Sequence, residues 1–171
     1  MVIKHPGQRV AIFIDVQNLY YSAKNLYQSR VNFGAILKLG VSERNLIRAF
    51  AYVVRTKTGE EKPFFEALIK LGIETKVRDL QEYFGGLKKA DWDVGITVDA
   101  IRISPSVDTI VLVSGDGDFL QLIEYLRNQG KRVEVIAFGR SASAKLKEGA
   151  ADEFIDIEEA PEKYLLKKSE K

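Results

Sequence analysis

The stretch Thr109-Ile-Val-Leu-Val-Ser-Gly-Asp-Gly-Asp118 decides the fold. Its first five residues are β-branched or aliphatic without a break. Alternation would mark a strand with one wet face. Continuity marks a strand in a parallel sheet with helices on both sides. The strand gives way to Ser114-Gly-Asp-Gly-Asp118, whose two glycines permit a tight strand-to-helix turn and close approach of a ligand to the backbone. Residues 117–128 then read as a helix closed by Gly130.

A second run of the same kind, Val10-Ala-Ile-Phe-Ile14, also ends on an aspartate, Asp15, with Asn18 three residues on. Outward from these two runs, strands and helices alternate. Helices are expected at 16–29, 33–39, 63–71, 91/93–103 and 117–128, with a short one at 142–149. Further strands are expected at 46–54, 73–77, 132–138 and 153–157. This order predicts an α/β fold: a three-layer αβα arrangement around an open, mostly parallel twisted sheet with right-handed crossovers. One domain over residues 1–160 accounts for the pattern, and 161–171 reads as a charged C-terminal tail, frayed from Lys163 onward.

Composition removes several chemistries. A chain of 171 residues with 46% hydrophobic residues buries a core without staples. No cysteine means no disulfide, thiol nucleophile, iron–sulfur cluster or thiolate zinc site. The single histidine, His5, excludes a polyhistidine metal site. No apolar run approaches the roughly 20 residues of a membrane span, and the N-terminus lacks a signal-peptide core. A cytoplasmic location is the expectation. The charge is uneven. Residues 1–90 hold 15 Lys and Arg against 8 Asp and Glu, and residues 91–171 hold 11 against 16. A basic surface beside an acidic pocket suits a polyanion handled through metal ions, although charge runs are also ordinary solvated faces.

In an open parallel sheet, ligands bind beyond the carboxyl ends of the strands, where strand order reverses. If the two apolar strands straddle that reversal, Asp15 meets Asp116 and Asp118. A third source is Lys88-Lys-Ala-Asp-Trp-Asp93, which enters a helix that also carries Asp99. Asp93 is the favoured ligand there; Asp99, six residues on, shares no clean face with it and takes second place. Gathered carboxylates repel one another and need a compensating cation. With oxygen donors alone, that cation is Mg²⁺ or Mn²⁺, able to support phosphodiester hydrolysis without a protein nucleophile. Each carboxylate taken singly is also explained as a helix or turn cap.

Other motifs fail. Twelve positions from Asp116 end at Arg127, not at the glutamate of a calcium loop. Leu120 stands where a third glycine would complete G-x-G-x-x-G, and no phosphate-binding P-loop is present. A haloacid-dehalogenase-type phosphatase would need an aspartate at Gln17.

The stretches Phe13-Ile-Asp-Val-Gln-Asn18, Lys88 to Ala100, Val113-Ser-Gly-Asp-Gly-Asp-Phe119 and Lys131 to Phe138 resemble the NYN-domain family, in its LabA-like branch, within the PIN-like nuclease superfamily. The resemblance runs from about Val10 to Ile157, with Gln17 where the family usually has glycine. It implies a PIN-like fold and a metal-dependent ribonuclease, or an RNA-binding or regulatory scaffold descended from one. It implies Asp15, Asp93, Asp116 and Asp118 as metal ligands, with Asn18 orienting a carboxylate or water. It also implies Ser114 as a support of the third motif and an RNA partner. Homodimerisation is a further expectation from the superfamily.

Nucleic acid, single-stranded by preference, would be held by Lys88 and Lys89, by Arg55 and Lys57 past one strand end, by Ser114 and by Arg140 past another. Tyr83 and Phe84 would stack on unpaired bases, each worth roughly 1–3 kcal/mol, or anchor a turn. Trp92 reads as core, His5 as part of the terminus. Tyr20, Tyr21 and Tyr27 are expected to pack or to form an interface.

Overall fold

The computed structural model describes residues 4–82, 88–89 and 91–167. The chain runs β1 (Arg9–Asp15), α1 (Val16–Tyr27), α2 (Phe33–Val41), β2 (Asn45–Arg55), α3 (Lys62–Lys70) and β3 (Glu74–Asp79). Two short strands follow, β4 (Gln81–Glu82) and β5 (Lys88–Lys89), then α4 (Asp93–Ile103), β6 (Thr109–Val113) and α5 (Leu120–Asn128). It ends with β7 (Arg132–Ala137), β8 (Glu153–Asp156) and α6 (Pro161–Tyr164).

Six strands form one parallel sheet in the order β3-β2-β1-β6-β7-β8. The chain builds outward from β1 to β3, then returns to lay β6 against the other side of β1. The reversal therefore lies between β1 and β6, the two apolar runs of the sequence, with Ile14 paired to Val113 at its carboxyl end.

Pleating divides β1 between two cores. Val10, Ile12 and Ile14 join Leu19 and Ala23 of α1, Ile36 of α2 and Leu68 of α3. Ala11 and Phe13 join Ile96 and Ala100 of α4 and Leu122, Ile123 and Leu126 of α5 on the opposite face. Burying each large aliphatic or aromatic side chain contributes roughly 1.5–3 kcal/mol. At Gly40 a Cβ would come within 2.8 Å of Ile12 Cδ1, so glycine there lets α2 settle onto β1.

One ion pair is buried at the amino ends of the strands. The Arg44 guanidinium donates two hydrogen bonds of 2.8 Å to Glu134, and both side chains are fully buried. Arg132 Nε donates to the same carboxylate at 2.7 Å. Burial alone would raise the Glu134 carboxyl, but Arg44 and Arg132 outweigh it and hold it below its ordinary value.

The structure departs from the sequence reading at three places. Residues 161–167 do not fray: Pro161–Tyr164 is helical, Asn32 N–H donates to Tyr164 O, and Leu165 bridges Val31. The pair β4–β5 was not anticipated. The short helix near 142–149 is a single wide turn at Leu146–Ala150, broken at Gly149, whose φ is 96°. Among the described residues no helix is long and apolar enough to cross a membrane.

Candidate metal centre

Both apolar strands deliver a carboxylate to the crevice at their carboxyl ends. Asp15 ends β1 and caps α1: its Oδ1 accepts from Asn18 N–H at 3.2 Å. Its Oδ2 accepts from the Ser114 hydroxyl at 2.9 Å, across the strand reversal. The Asn18 side chain answers in the same direction, its Oδ1 accepting from Gly115 N–H at 2.9 Å. Asp116 N–H donates to Ser114 Oγ, and Asp116 Oδ1 accepts from Asp118 N–H. The capping and site readings of these residues are thus compatible. The same hydrogen bonds that start α1 and the turn after β6 aim the carboxylates.

One carboxylate oxygen each from Asp93, Asp116 and Asp118 lie within 4.8 Å of one another. Asp93 opens α4, and the other two follow β6. Asp15 lies behind them in a cavity of about 340 Å³ that Gln17, Asn18, Tyr21, Asp91, Trp92, Asp93 and Asp116 also line. Burial, then the charges of Asp116, Asp15, Asp91 and Asp118, push Asp93 up to about 6. Asp15 is also raised, by burial first and by Asp116 and Asp91 as well, against the hydrogen bonds from Asn18 and Ser114. The charges that act most strongly on Asp93 are all negative. An all-oxygen donor set with unrelieved like charge fits a hard divalent cation.

A titration follows from Asp93. Its folded value of about 6 exceeds the ordinary carboxyl value of 3.8, so between those two pH values the metal-free fold holds a proton that the unfolded chain releases. Metal-free stability should therefore fall as pH rises from about 4 to 6, then level off. Asp93→Asn removes this loss. In EDTA the variant should melt above wild type at pH 7, with the gap closed near pH 4. In Mn²⁺ the wild-type protein should gain thermal stability more strongly at pH 7 than at pH 5. Equal melting of variant and wild type across that range would refute the crowding of charge at Asp93.

The remaining candidates scatter. Asp99 is turned away from the cluster: its Oδ2 accepts from Tyr52 Oη at 2.8 Å and from Lys76 Nζ at 2.6 Å. Burial opposes its charge, yet Lys76 and Tyr52 prevail and lower it. Ser114 is fully buried, and its hydroxyl donates to Asp15. Arg55 donates to Asp79 at 2.8 Å on the surface, and Lys57 is exposed in the loop after β2. Arg140 holds Glu158 and lies over the Tyr27 ring. Lys88 and Lys89 form β5, paired with β4; their side chains, together with Tyr83 and Phe84, lie outside what the structure describes.

Several residues at the site were missed, Asp91, Arg78 and Tyr21 among them. Asp91 lines the cavity; the Asp-x-Asp spacing at the start of α4 was its signal. Arg78 on β3 donates to Asp91 O at 2.7 Å and lies 4.3 Å over the Trp92 ring, a placement no motif announces. Tyr21 lines the cavity from α1. The glycines sit in the expected turn after β6 and have a further role. Neither Gly115 nor Gly117 has a positive φ. A Cβ would meet Ala142 Cα at 3.0 Å from Gly115 and Ser143 Oγ at 2.8 Å from Gly117, so both make room for the loop after β7.

Comparison with known proteins bears on this arrangement. The model of the NYN domain matches residues 9–158. The low amplitude and bright protein LabA of Synechococcus elongatus is 29% identical over 160 residues, covering 87% of this chain and 83% of that one. An uncharacterized protein of Methanocaldococcus jannaschii is 35% identical over 96 residues, 55% of this chain and 35% of its own length. The crystal structure of a protein of unknown function from Vibrio parahaemolyticus superposes with a TM-score of 0.85 at 34% identity, covering 96% of this chain and all of that one. With its six-stranded parallel sheet, helices on both faces and acidic triad at the strand reversal, the chain belongs to the NYN domain family of the PIN-like nuclease superfamily.

Proposed function

We propose that this protein is a Mg²⁺- or Mn²⁺-dependent ribonuclease that hydrolyses phosphodiesters of single-stranded RNA. One observation carries the reading: three aspartate oxygens within 4.8 Å, drawn from α4 and from the end of β6, with the buried Asp15 behind them. Asp93, Asp116 and Asp118 would hold the ion. A divalent ion bound there supplies Lewis-acid polarisation of the phosphodiester and a water of lowered pKa. The chain's own part is positioning. Ser114 and Asn18 hold Asp15 and the β6 turn in register across the sheet. Arg78, 4.3 Å over the Trp92 ring and bonded to Asp91 O, offers a guanidinium suited to a phosphate oxygen. A covalent phosphatase mechanism on Asp15 is disfavoured: both its oxygens already accept hydrogen bonds, and Gln17 offers no general acid.

The test is incubation of labelled single-stranded RNA with the protein in Mn²⁺ or in EDTA. Cleavage in Mn²⁺ that EDTA abolishes supports the reading. Salt-sensitive binding without cleavage in either condition would replace it with a binding or regulatory scaffold.

A further inference from the structure

We propose that the α1 wall of the carboxylate cavity is a subsite for one unpaired nucleobase next to the scissile phosphate. The inference rests on the ribonuclease reading and names how the substrate is held. Gln17, Tyr21 and Asn25 recur every four residues, so they share one face of α1 and span about 12 Å along it. All three line the same cavity as Asp15, Asp93 and Asp116.

Each supplies a different element of base recognition. Tyr21 is 53% exposed and lines the cavity. Its ring partner is Tyr20, edge-on at 5.3 Å, which steadies it and leaves it able to stack. Gln17 and Asn25 flank the ring, and among the described residues nothing hydrogen-bonds to either side-chain amide. An amide presents a donor and an acceptor side by side, the complement of a base edge. Leu26 adds an apolar surface, while the Ser22 and Ser141 hydroxyls satisfy each other at 2.8 Å. A volume of about 340 Å³ is at the small end of ligand sites, room for one nucleoside. A base held in a duplex cannot present its face and edge here. A single strand, bulge or loop can.

The experiment is fluorescence anisotropy of a labelled single-stranded RNA, with duplex RNA and a nucleoside monophosphate as competitors. Tyr21→Ala should weaken single-strand binding roughly tenfold, the worth of one stacked base, while Tyr21→Phe stays near wild type. The Mn²⁺-induced thermal shift should be the same in all three proteins. Where cleavage is measured, Tyr21→Ala should raise KM and leave kcat in place. Unchanged binding by Tyr21→Ala overturns the subsite, as does duplex bound as tightly as single strand. A nucleoside monophosphate binding as tightly as RNA would make the ligand a free nucleotide and overturn the strand assignment. Wild-type protein that binds RNA through Tyr21 without cutting it keeps the subsite and removes the hydrolysis. Cleavage equal in wild type and Tyr21→Ala does the reverse, and no RNA binding at all removes both.

Discussion

Asp116→Asn is expected to lower Mn²⁺-dependent RNA cleavage by at least about 100-fold, because changes even in groups behind metal ligands cost 10- to 100-fold. The substitution is chosen to spare the fold. Asp116 Oδ1 accepts from Asp118 N–H, and an asparagine oxygen can make the same bond. The Asp116 backbone N–H still reaches Ser114 Oγ. What disappears is one negative charge from the three-carboxylate cluster. Relief of repulsion should leave the metal-free melting temperature equal to wild type or higher, while the stabilisation by Mn²⁺ shrinks. Cleavage at the wild-type rate by a folded Asp116→Asn protein would remove the cluster from the mechanism.

Glu134→Leu is expected to cost about 3–5 kcal/mol, the range for breaking a buried ion pair by deleting one partner. Arg44 would keep Gly40 O, Val41 O and Gln8 Oε1 as acceptors but lose its one carboxylate. For a chain of this size that is a fall in melting temperature of about 6–20 °C. The double substitution Glu134→Leu with Arg44→Met should recover most of the loss, since apolar replacement of a whole buried pair is often neutral or stabilising. Thermal or urea unfolding of the three proteins decides it. A single variant as stable as wild type, or a double variant as weak as the single, would show that the pair does not hold the floor of the sheet.

The architecture was legible because its strongest signals are local. Val10–Ile14 and Thr109–Val113 are β-branched, aliphatic or aromatic apart from Ala11 and buried on both faces, and the middle of a parallel sheet accommodates that. Their ends point at one crevice once the strands are neighbours, so Asp15 and Asp116 followed from the same patterns. Asp93 was legible as the acidic first turn of a helix. What stayed hidden depends on tertiary placement. Asp99 falls on the buried face of α4 opposite Tyr52 and Lys76, and nothing in its spacing names those partners. Arg78 reaches the site from a strand far along the sheet. Residues 161–167 look like a solvated tail because Glu162, Lys163 and Lys167 lead into the charged end of the chain, yet backbone hydrogen bonds with Arg30 and Asn32 hold them. Gly115 and Gly117 announced a turn, but not the loop at Ala142 and Ser143 that packs against them.

The position of β3 at the margin of the sheet has a consequence for the protein in a crowded solution. On its far side this strand has no strand neighbour in the six-stranded sheet, the arrangement that invites one molecule to polymerise onto the next. Glu74, Lys76, Arg78 and Asp79 are four charged residues among its six. A second molecule approaching that border would have to strip water from charged side chains before its first amide could pair. Charge along the border thereby guards it against fibre growth.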